Sequence, residues 1–329
     1  MAFDADSGKL SCPSCGQQDN IEQLDDAYIT QEFTEDEARE YHCENCGAVV
    51  LTDQDTTATS CSFCGAGVIL GDRLTNKLAP AKVIPFTISK EAAQEAFKKW
   101  CKNGRFTPRG FMTADRIKNI TGMYVPFWMY DLHSDIEAQA VGTKVRTYRR
   151  GDYVYTETKY YDLERSLTAY HEKVPVDASE KMDDRTMDLL EPYDYKDLKQ
   201  FKMPYLTGFL AEKYNYTDKE LLPRAKQKIY NHLQTYIRST MLGYSSISMR
   251  REDIRTIQKK GHYVLFPVWM VYYDYEQQEH TFAMNGQTGK VVGKPPISKG
   301  KVFKWFAGLS ATLFAAFKIA GSLIGGVWW

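Results

Sequence analysis

Along residues 89–100 the apolar positions recur at helical spacing. In KEAAQEAFKKW, Ala92, Ala93, Ala96, Phe97 and Trp100 fall on one side, and Ser89 stands before them as an N-cap. This predicts an amphipathic helix that buries that side. From Met123 the period changes to two. MYVPFWMYD, SDIEAQAVGTKVRTY and YVYTETKYYDLERSLTAYHEKV alternate charged and apolar residues, which predicts a meander of long antiparallel strands with one wet face and RRGD at the second turn. Residues 181–215 read as short helices and turns around LLEPYDY and YLTGFLAEKY. Thr217 opens the capping box TDKE, so a longer helix runs from there to about Leu242. Strand patterning returns in SSISMRREDIRTIQ, HYVLFPVWMVYYDY and HTFAMN, and NGQTG supplies a turn into KVVG.

Two of these strands echo one another. YVPFWMYD (124–131) and LFPVWMVYYD (265–274) share Pro-x-Trp-Met, with Pro126 matching Pro267 and Trp128 matching Trp269, 141 residues apart. Each follows a helix and opens a run of strands, the signature of a duplicated α+β unit. A proline inside a strand belongs at an edge or bulge. Pro126, Trp128, Pro267 and Trp269 are therefore either an exposed partner surface or buried core.

The tail, residues 302–329, carries a single charge, Lys318, in the 25 residues from Trp305 onward. At ~1.5 Å per residue that is about 37 Å, enough for a hydrocarbon core of about 30 Å. Lys299, Lys301 and Lys304 precede it, and Trp305, Trp328 and Trp329 stand at its ends, as at membrane interfaces. On a helical projection Phe306, Leu309, Leu313, Phe317, Leu323 and Ile324 share an apolar face. The opposite face is small or polar, with Ala307, Ala311, Ala315 and Lys318. That face would let a second copy pack closely and shelter Lys318, whose insertion otherwise costs about 2.5–3.5 kcal/mol. The segment reads as a single C-terminal membrane anchor, spanning the bilayer or lying in its interface. Its basic flank places the bulk of the chain in the cytoplasm.

Six of the seven cysteines form three C-x-x-C pairs, each followed by Gly: Cys12/Cys15, Cys43/Cys46 and Cys61/Cys64. The glycine lets a metal knuckle turn with positive φ. Cys43, Cys46, Cys61 and Cys64 can close a tetrahedral four-thiolate Zn2+ site with no open position, a structural site. The fourteen residues between those pairs suit a short β-hairpin. Cys12 and Cys15 leave alternatives open: a second zinc site completed by His42 or by another chain, or a knuckle without metal. Cys101 stands alone as a core residue. With no signal peptide in MAFDADSGKL, the thiols read as reduced and cytosolic.

The formal net charge is zero, but the charges are segregated. Residues 1–60 hold fourteen acids and two bases, a net of −12, so the remainder carries +12. The acidic segment 17–42 includes a short expected helix near Glu35–Glu40, and the stretch Gly71–Pro80 marks a domain boundary. Between Arg224 and Lys260 nine bases face two acids. Arg224, Lys228, Arg250, Arg251, Lys259 and Lys260, with Lys299, Lys301 and Lys304, form a candidate contact for anionic headgroups or, as the alternative, nucleic acid. An acidic ribbon argues against nucleic acid as the main partner. Enzyme signatures are missing: MNGQTGKVVG fails the P-loop pattern at Met284 and Val291, and the six histidines form no H-E-x-x-H. The chain is read as a non-enzyme.

In order, CPSCG, CENCGAVV, CSFCG, GMYVPFWMYDLHS, KVPVDAS, LLEPYDY, YLTGFLAEKYNY, LFPVWMVYYDY and FAMNGQTGKVVGKPPISKGK resemble a bacterial family of TFIIB-type zinc-ribbon-containing proteins over the whole chain. Members are often labelled replication-restart helicases, although this sequence lacks the helicase motor motifs. The resemblance implies a C-terminal membrane segment and association with SPFH-domain (flotillin-like) and phage-shock-type proteins of the envelope stress response. Many relatives carry a fuller first ribbon than Cys12/Cys15. The expected fold class is α+β. Residues 1–72 form a small acidic zinc-ribbon region, residues 80–296 a duplicated helix-plus-antiparallel-sheet body (80–180 and 203–296), and residues 302–329 a membrane helix. The expected function is a cytoplasm-facing, membrane-anchored adaptor or scaffold that recruits protein partners. The alternative is a nucleic-acid-binding accessory of replication restart that uses the 224–260 surface.

Overall fold

The computed structural model of the chain describes residues 1–24, 40–42, 49–51, 56–60, 67–69, 80–102, 104, 106–108, 120–212, 214–275, 278–293 and 295–323. A small sheet of β1 (Ala2–Asp4), β2 (Lys9–Ser11) and β3 (Gln18–Asp19) comes first. Two hairpins follow, β4 (Glu40–His42) with β5 (Val49–Leu51) and β6 (Thr56–Ser60) with β7 (Gly67–Ile69). The body contains β8 (Lys82–Val83), α1 (Lys90–Lys102), β9 (Thr121–Arg150), β10 (Tyr153–Asp177), α2 (Asp184–Leu190), β11 (Lys199–Gln200) and β12 (Leu210–Glu212). It continues with α3 (Asp218–Ser239), β13 (Ser246–Tyr275), β14 (Gln278–Asn285) and β15 (Val291–Gly293), and α4 (Lys299–Leu323) closes the chain. The mixed α+β class and the apolar C-terminal helix match the sequence reading.

Strands β9 and β13 are each 30 residues long, about 100 Å of path at ~3.3 Å per residue. The sequence pattern predicts breaks near residues 131–134 and 258–262; the structure runs straight through both. Tyr130, Leu132, Ser134, Ile136 and Ala138 stay buried in phase, so the polar residues between them are the wet face and not a turn. The charged runs in β13 are absorbed as bulges at Arg250 and Lys259, where the register with β9 shifts. α3 starts where its capping box predicts, with the Thr217 side chain bound to the Glu220 N–H and the Glu220 carboxylate bound to the Thr217 N–H. Its Ala225, Ile229, Leu233 and Ile237 bury against Leu132, Ile136, Ala138 and Ala140 of β9.

The repeat seen in sequence becomes a geometrical two-fold. With Pro126 equivalent to Pro267, Val125 is equivalent to Phe266, and these two residues pair directly across the β9–β13 ladder. The flanking parallel ladders map onto each other, Ala211↔Tyr124 in one half and Val83↔Leu265 in the other. Ala178 N–H donates to Pro126 O at 2.8 Å, as Gly286 N–H does to Pro267 O at 2.9 Å. Asn215 N–H donates to Ala178 O, as Thr87 N–H does to Gly286 O. The Trp128 indole donates to Tyr216 O at 2.8 Å, and its equivalent Trp269 to Ile88 O at 3.1 Å. Each half thus holds the strand–helix linker of the other.

This geometry explains the prolines. In an antiparallel ladder a residue's N–H and C=O face the same side, so the missing donors of Pro126 and Pro267 face Ala178 and Gly286. There β10 and β14 leave the sheet, and no acceptor is left waiting. Pro126, Pro267 and Trp269 are buried, and Trp128 packs along the core between Tyr214 and Tyr263. Of the two readings the sequence left open, these four residues are interior braces and not a docking surface.

Candidate membrane anchor and metal-binding hairpins

The base of α4 is tied to the loop that follows α1. Ser298 N–H donates to Phe106 O (2.8 Å), Lys301 Nζ donates to Thr107 O (2.6 Å), and the Trp305 ring meets Phe106 edge-on at 6.1 Å. Beyond this base the helix leaves the body. Trp305, Phe306, Leu309, Leu313, Phe317 and Lys318 are all exposed, with Phe317 80% accessible. Within Lys299–Ala320 an 18-residue stretch reaches a mean hydropathy of 1.3, and none of that stretch is buried. An apolar helix of this length left in water is unfavourable, and its composition suits a bilayer. Leu323 ends the helix, whereas Ile324, Trp328 and Trp329 lie outside the described residues.

Cys43, Cys46, Cys61 and Cys64 also lie outside the described residues, but their flanks do not. Pairing of His42 with Val49 brackets Cys43/Cys46, and pairing of Ser60 with Gly67 brackets Cys61/Cys64. The sequence pattern predicts one hairpin between the knuckles. Instead β5 and β6 belong to different sheets, β5 pairing back with β4 and β6 forward with β7. β6 also pairs with β12 at Ala58↔Ala211, which fastens the second hairpin to the large sheet.

The first knuckle is described in full. Gly16 adopts φ 76°, its N–H donates to Cys12 O, and Cys12 N–H donates to Gln17 O. Backbone N–H groups of Cys15 and Ser14, aimed at the Cys12 sulfur, hold its thiol below the ordinary range. This is a thiolate-favouring turn, yet among the described residues no group of three metal-ligating side chains forms. Burial, in contrast, pushes the Cys101 thiol up to about 11, as suits a core residue.

The basic candidates divide. Arg224 pairs with Asp177 (2.7 Å), Asp184 (2.8 Å) and Asp188 (3.0 Å). Lys228 pairs with Asp188 (2.9 Å) and Glu191 (2.6 Å) and donates to Pro175 O. Both are committed inside the molecule, because the first turns of α3 face the end of β10 and the acidic side of α2. Burial raises the Asp177 carboxyl to about 7 against the pull of Arg224, and burial raises Glu191 as well. Arg250, Arg251, Lys259 and Lys260 are exposed along β13, on the α3 side of the two-fold. Lys299, Lys301 and Lys304 lie at the base of α4, which meets the Phe106–Thr107 segment after α1 on the other side. The structure does not gather these residues into one surface. Sequence reasoning missed the internal cluster, although Asp184, Asp188 and Glu191 at helical spacing, facing Arg224 and Lys228 four residues apart, carried the signal.

The chain is similar to the uncharacterized protein YdjG of Bacillus subtilis (strain 168), 59% identical over 326 residues that cover 99% of this chain and 96% of that protein. No protein-family model matches it, and no solved structure does.

Proposed function

The chain belongs to the family of Bacillus subtilis YdjG, and we propose that it works as a membrane-anchored, cytoplasm-facing adaptor. The observation that carries this reading is the exposed apolar helix α4, rooted on the body by Ser298, Lys301 and Trp305. In this reading α4 spans the bilayer, the two-fold body is a stiff strut, and the acidic head docks protein partners. Tethering raises the effective concentration of such a partner without any new contact. The partner class implied by the family resemblance is SPFH-domain or phage-shock-type proteins.

Zinc belongs to the same proposal. The paired strands on either side of Cys43/Cys46 and of Cys61/Cys64 suit a Zn2+ held by these four thiolates. Four thiolates leave no open position, so the metal would fix the ribbon's shape and supply no reactive site. The nucleic-acid reading loses support because Arg224 and Lys228 are already paired.

The test is carbonate extraction of membranes bearing the full chain and its Leu313→Arg variant. The full chain should stay in the pellet. Leu313→Arg changes the insertion balance by about 3–4 kcal/mol and should move a large fraction to the supernatant. Extraction of the unaltered chain would rule out a span. Crosslinking in cells followed by mass spectrometry should then recover SPFH-domain or phage-shock-type proteins, and recovery of replication proteins alone would favour the accessory role.

A further inference from the structure

Strand β13 begins at Ser246, opposite Thr143, and beyond that point the β9–β10 hairpin runs on alone. Seven more pairs, from Lys144↔Lys159 to Arg150↔Tyr153, make a bare two-stranded arm that turns at Gly151, φ 64°. α3 stops short of it: Arg165, which pairs with Ala138, reaches the Thr240 carbonyl at the helix end. The face that α3 covers lower down reappears in the arm as Lys144, Arg146, Tyr148 and Arg150. Tyr148 stacks on Tyr155 at 5.6 Å, Arg146 lies 5.8 Å from the Tyr148 ring, and Tyr153 is 72% exposed. Residues 144–159 hold five bases and two acids, a net of +3.

One edge of the arm is also open. Ser245 N–H donates to Thr143 O, and Val145 N–H is met by the Ser245 hydroxyl. By strand parity the backbone of Thr147 and Arg149 faces the same side, and among the described residues no strand lies beside it. An isolated hairpin gains little in water by itself, and Tyr with Arg is the composition of interface centres.

The chain carries the complement. Residues 25–39, DDAYITQEFTEDEAR, hold six acids against Arg39, with Tyr28, Ile29 and Phe33 between them. The preceding residue, Leu24, packs on the core cluster that contains Tyr124, next to the two-fold pair Val125↔Phe266. Lys144 is nineteen residues further along β9 than Val125, about 60 Å of strand path. Fifteen residues fully extended span about 50 Å, so the segment does not reach the arm of its own chain.

We infer that the arm of one copy binds the acidic segment 25–39 of a second copy, with arginine and lysine meeting the carboxylates and the open edge receiving an extended strand. Arm and head are different surfaces, so the contact is head-to-tail and joins copies in series. It does not depend on the membrane reading or on the tail's small-residue face.

The test uses the full chain in detergent micelles. Equal amounts of 14N- and 15N-labelled protein are mixed and coupled with a zero-length carbodiimide. The expected result is mixed-isotope links from Lys144 or Lys159 to Glu32, Glu35 or Asp36. Arg146→Glu with Arg150→Glu should weaken self-association at least tenfold, as should Glu35→Lys with Asp36→Lys and Glu37→Lys. Mixing the two reversed proteins should restore association, which a misfolded arm or tail-driven pairing would not do. Same-isotope links alone, or self-association indifferent to both reversals, would overturn the inference. So would an arm reversal that strips bound nucleic acid at low salt while copies stay associated.

Discussion

Asp177 ends β10 with its carboxyl fully buried, 2.7 Å from Arg224 and enclosed by α2 and α3. Arg224 serves three carboxylates at once, so its attraction for Asp177 is divided while the burial is not. The carboxyl accordingly sits at about 7, raised from 3.8. A carboxyl whose folded pKa is raised contributes its stability below the unfolded value, and the contribution is lost as pH rises through the folded value. Between pH 4 and 8 the loss is on the order of 2–4 kcal/mol, at ~1.36 kcal/mol per unit. Asp177→Asn removes the titration while keeping the shape. The fold accepts that residue there, because the equivalent across the two-fold is Asn285, which donates to Leu190 O and accepts from Gln287 N–H. Urea unfolding of the full chain in micelles, followed by tryptophan fluorescence from pH 5 to 8.5, gives the comparison. At pH 5 the two proteins should match, and by pH 8.5 the variant should be the more stable. The slope that remains belongs in part to Glu191, raised by burial in the same sense. Equal slopes in both proteins, or a variant less stable at pH 8.5, would mean that Arg224 holds Asp177 ionised and that the pair is net stabilising.

Three further outcomes are expected. Gly122→Ala would place a Cβ 2.6 Å from the Phe209 ring and 2.8 Å from the Trp269 ring, so it should cost about 1–3 kcal/mol, and an unchanged Tm would refute that packing. Trp128→Phe and Trp269→Phe each lose one indole hydrogen bond across the two-fold; each should cost about 0.5–1.5 kcal/mol beyond the packing change, measured against Leu at the same positions. Cys43→Ser should abolish the zinc bound per chain, measured by elemental analysis of the purified protein, and retention of full zinc would remove the four-thiolate assignment.

Helices α1 and α3 were legible because their ends are local. α1 starts at the residue after Ser89, the Thr217–Glu220 box fixes where α3 starts, and apolar spacing fixes which side is buried. The strand lengths were not legible. Asp131 and His133 look like a turn in sequence, but Asp131 accepts the Lys173 N–H at a bulge in β10 and the ladder runs on. Where a strand ends depends on whether a neighbour continues beside it, which no local pattern contains. The Pro-x-Trp echo was visible as a repeat, while its register through Val125 and Phe266 is tertiary. The bases misled for a related reason: Arg224 and Lys228 read as solvated until α2 supplies their partners. The bare arm is marked in sequence only by Lys, Arg and Tyr beside RRGD, a pattern that a covered strand with a wet face shares.

Equivalent braces hold the two halves, and their reach is what differs. The β9–β10 hairpin has 23 pairs where β13–β14 has eight, and α3 has 22 residues where α1 has 13. None of the added length lies near the shared hydrogen bonds of Trp128, Trp269, Ala178 and Gly286, so it alters reach without altering how the halves interlock. The longer helix covers most of the longer ribbon and then stops, which leaves the arm bare. On the side of the shorter half, the base of α4 meets Phe106 and Thr107 of the segment that follows α1. α1 runs from Trp269 toward the β13–β14 end, where Trp100 meets Phe282, while α3 runs from Trp128 toward Leu163 and Ala140. The two helices therefore diverge from the axis, with the base of α4 on the α1 side and the arm on the α3 side. β9 carries the tip of the arm about 80 Å from the two-fold by strand path.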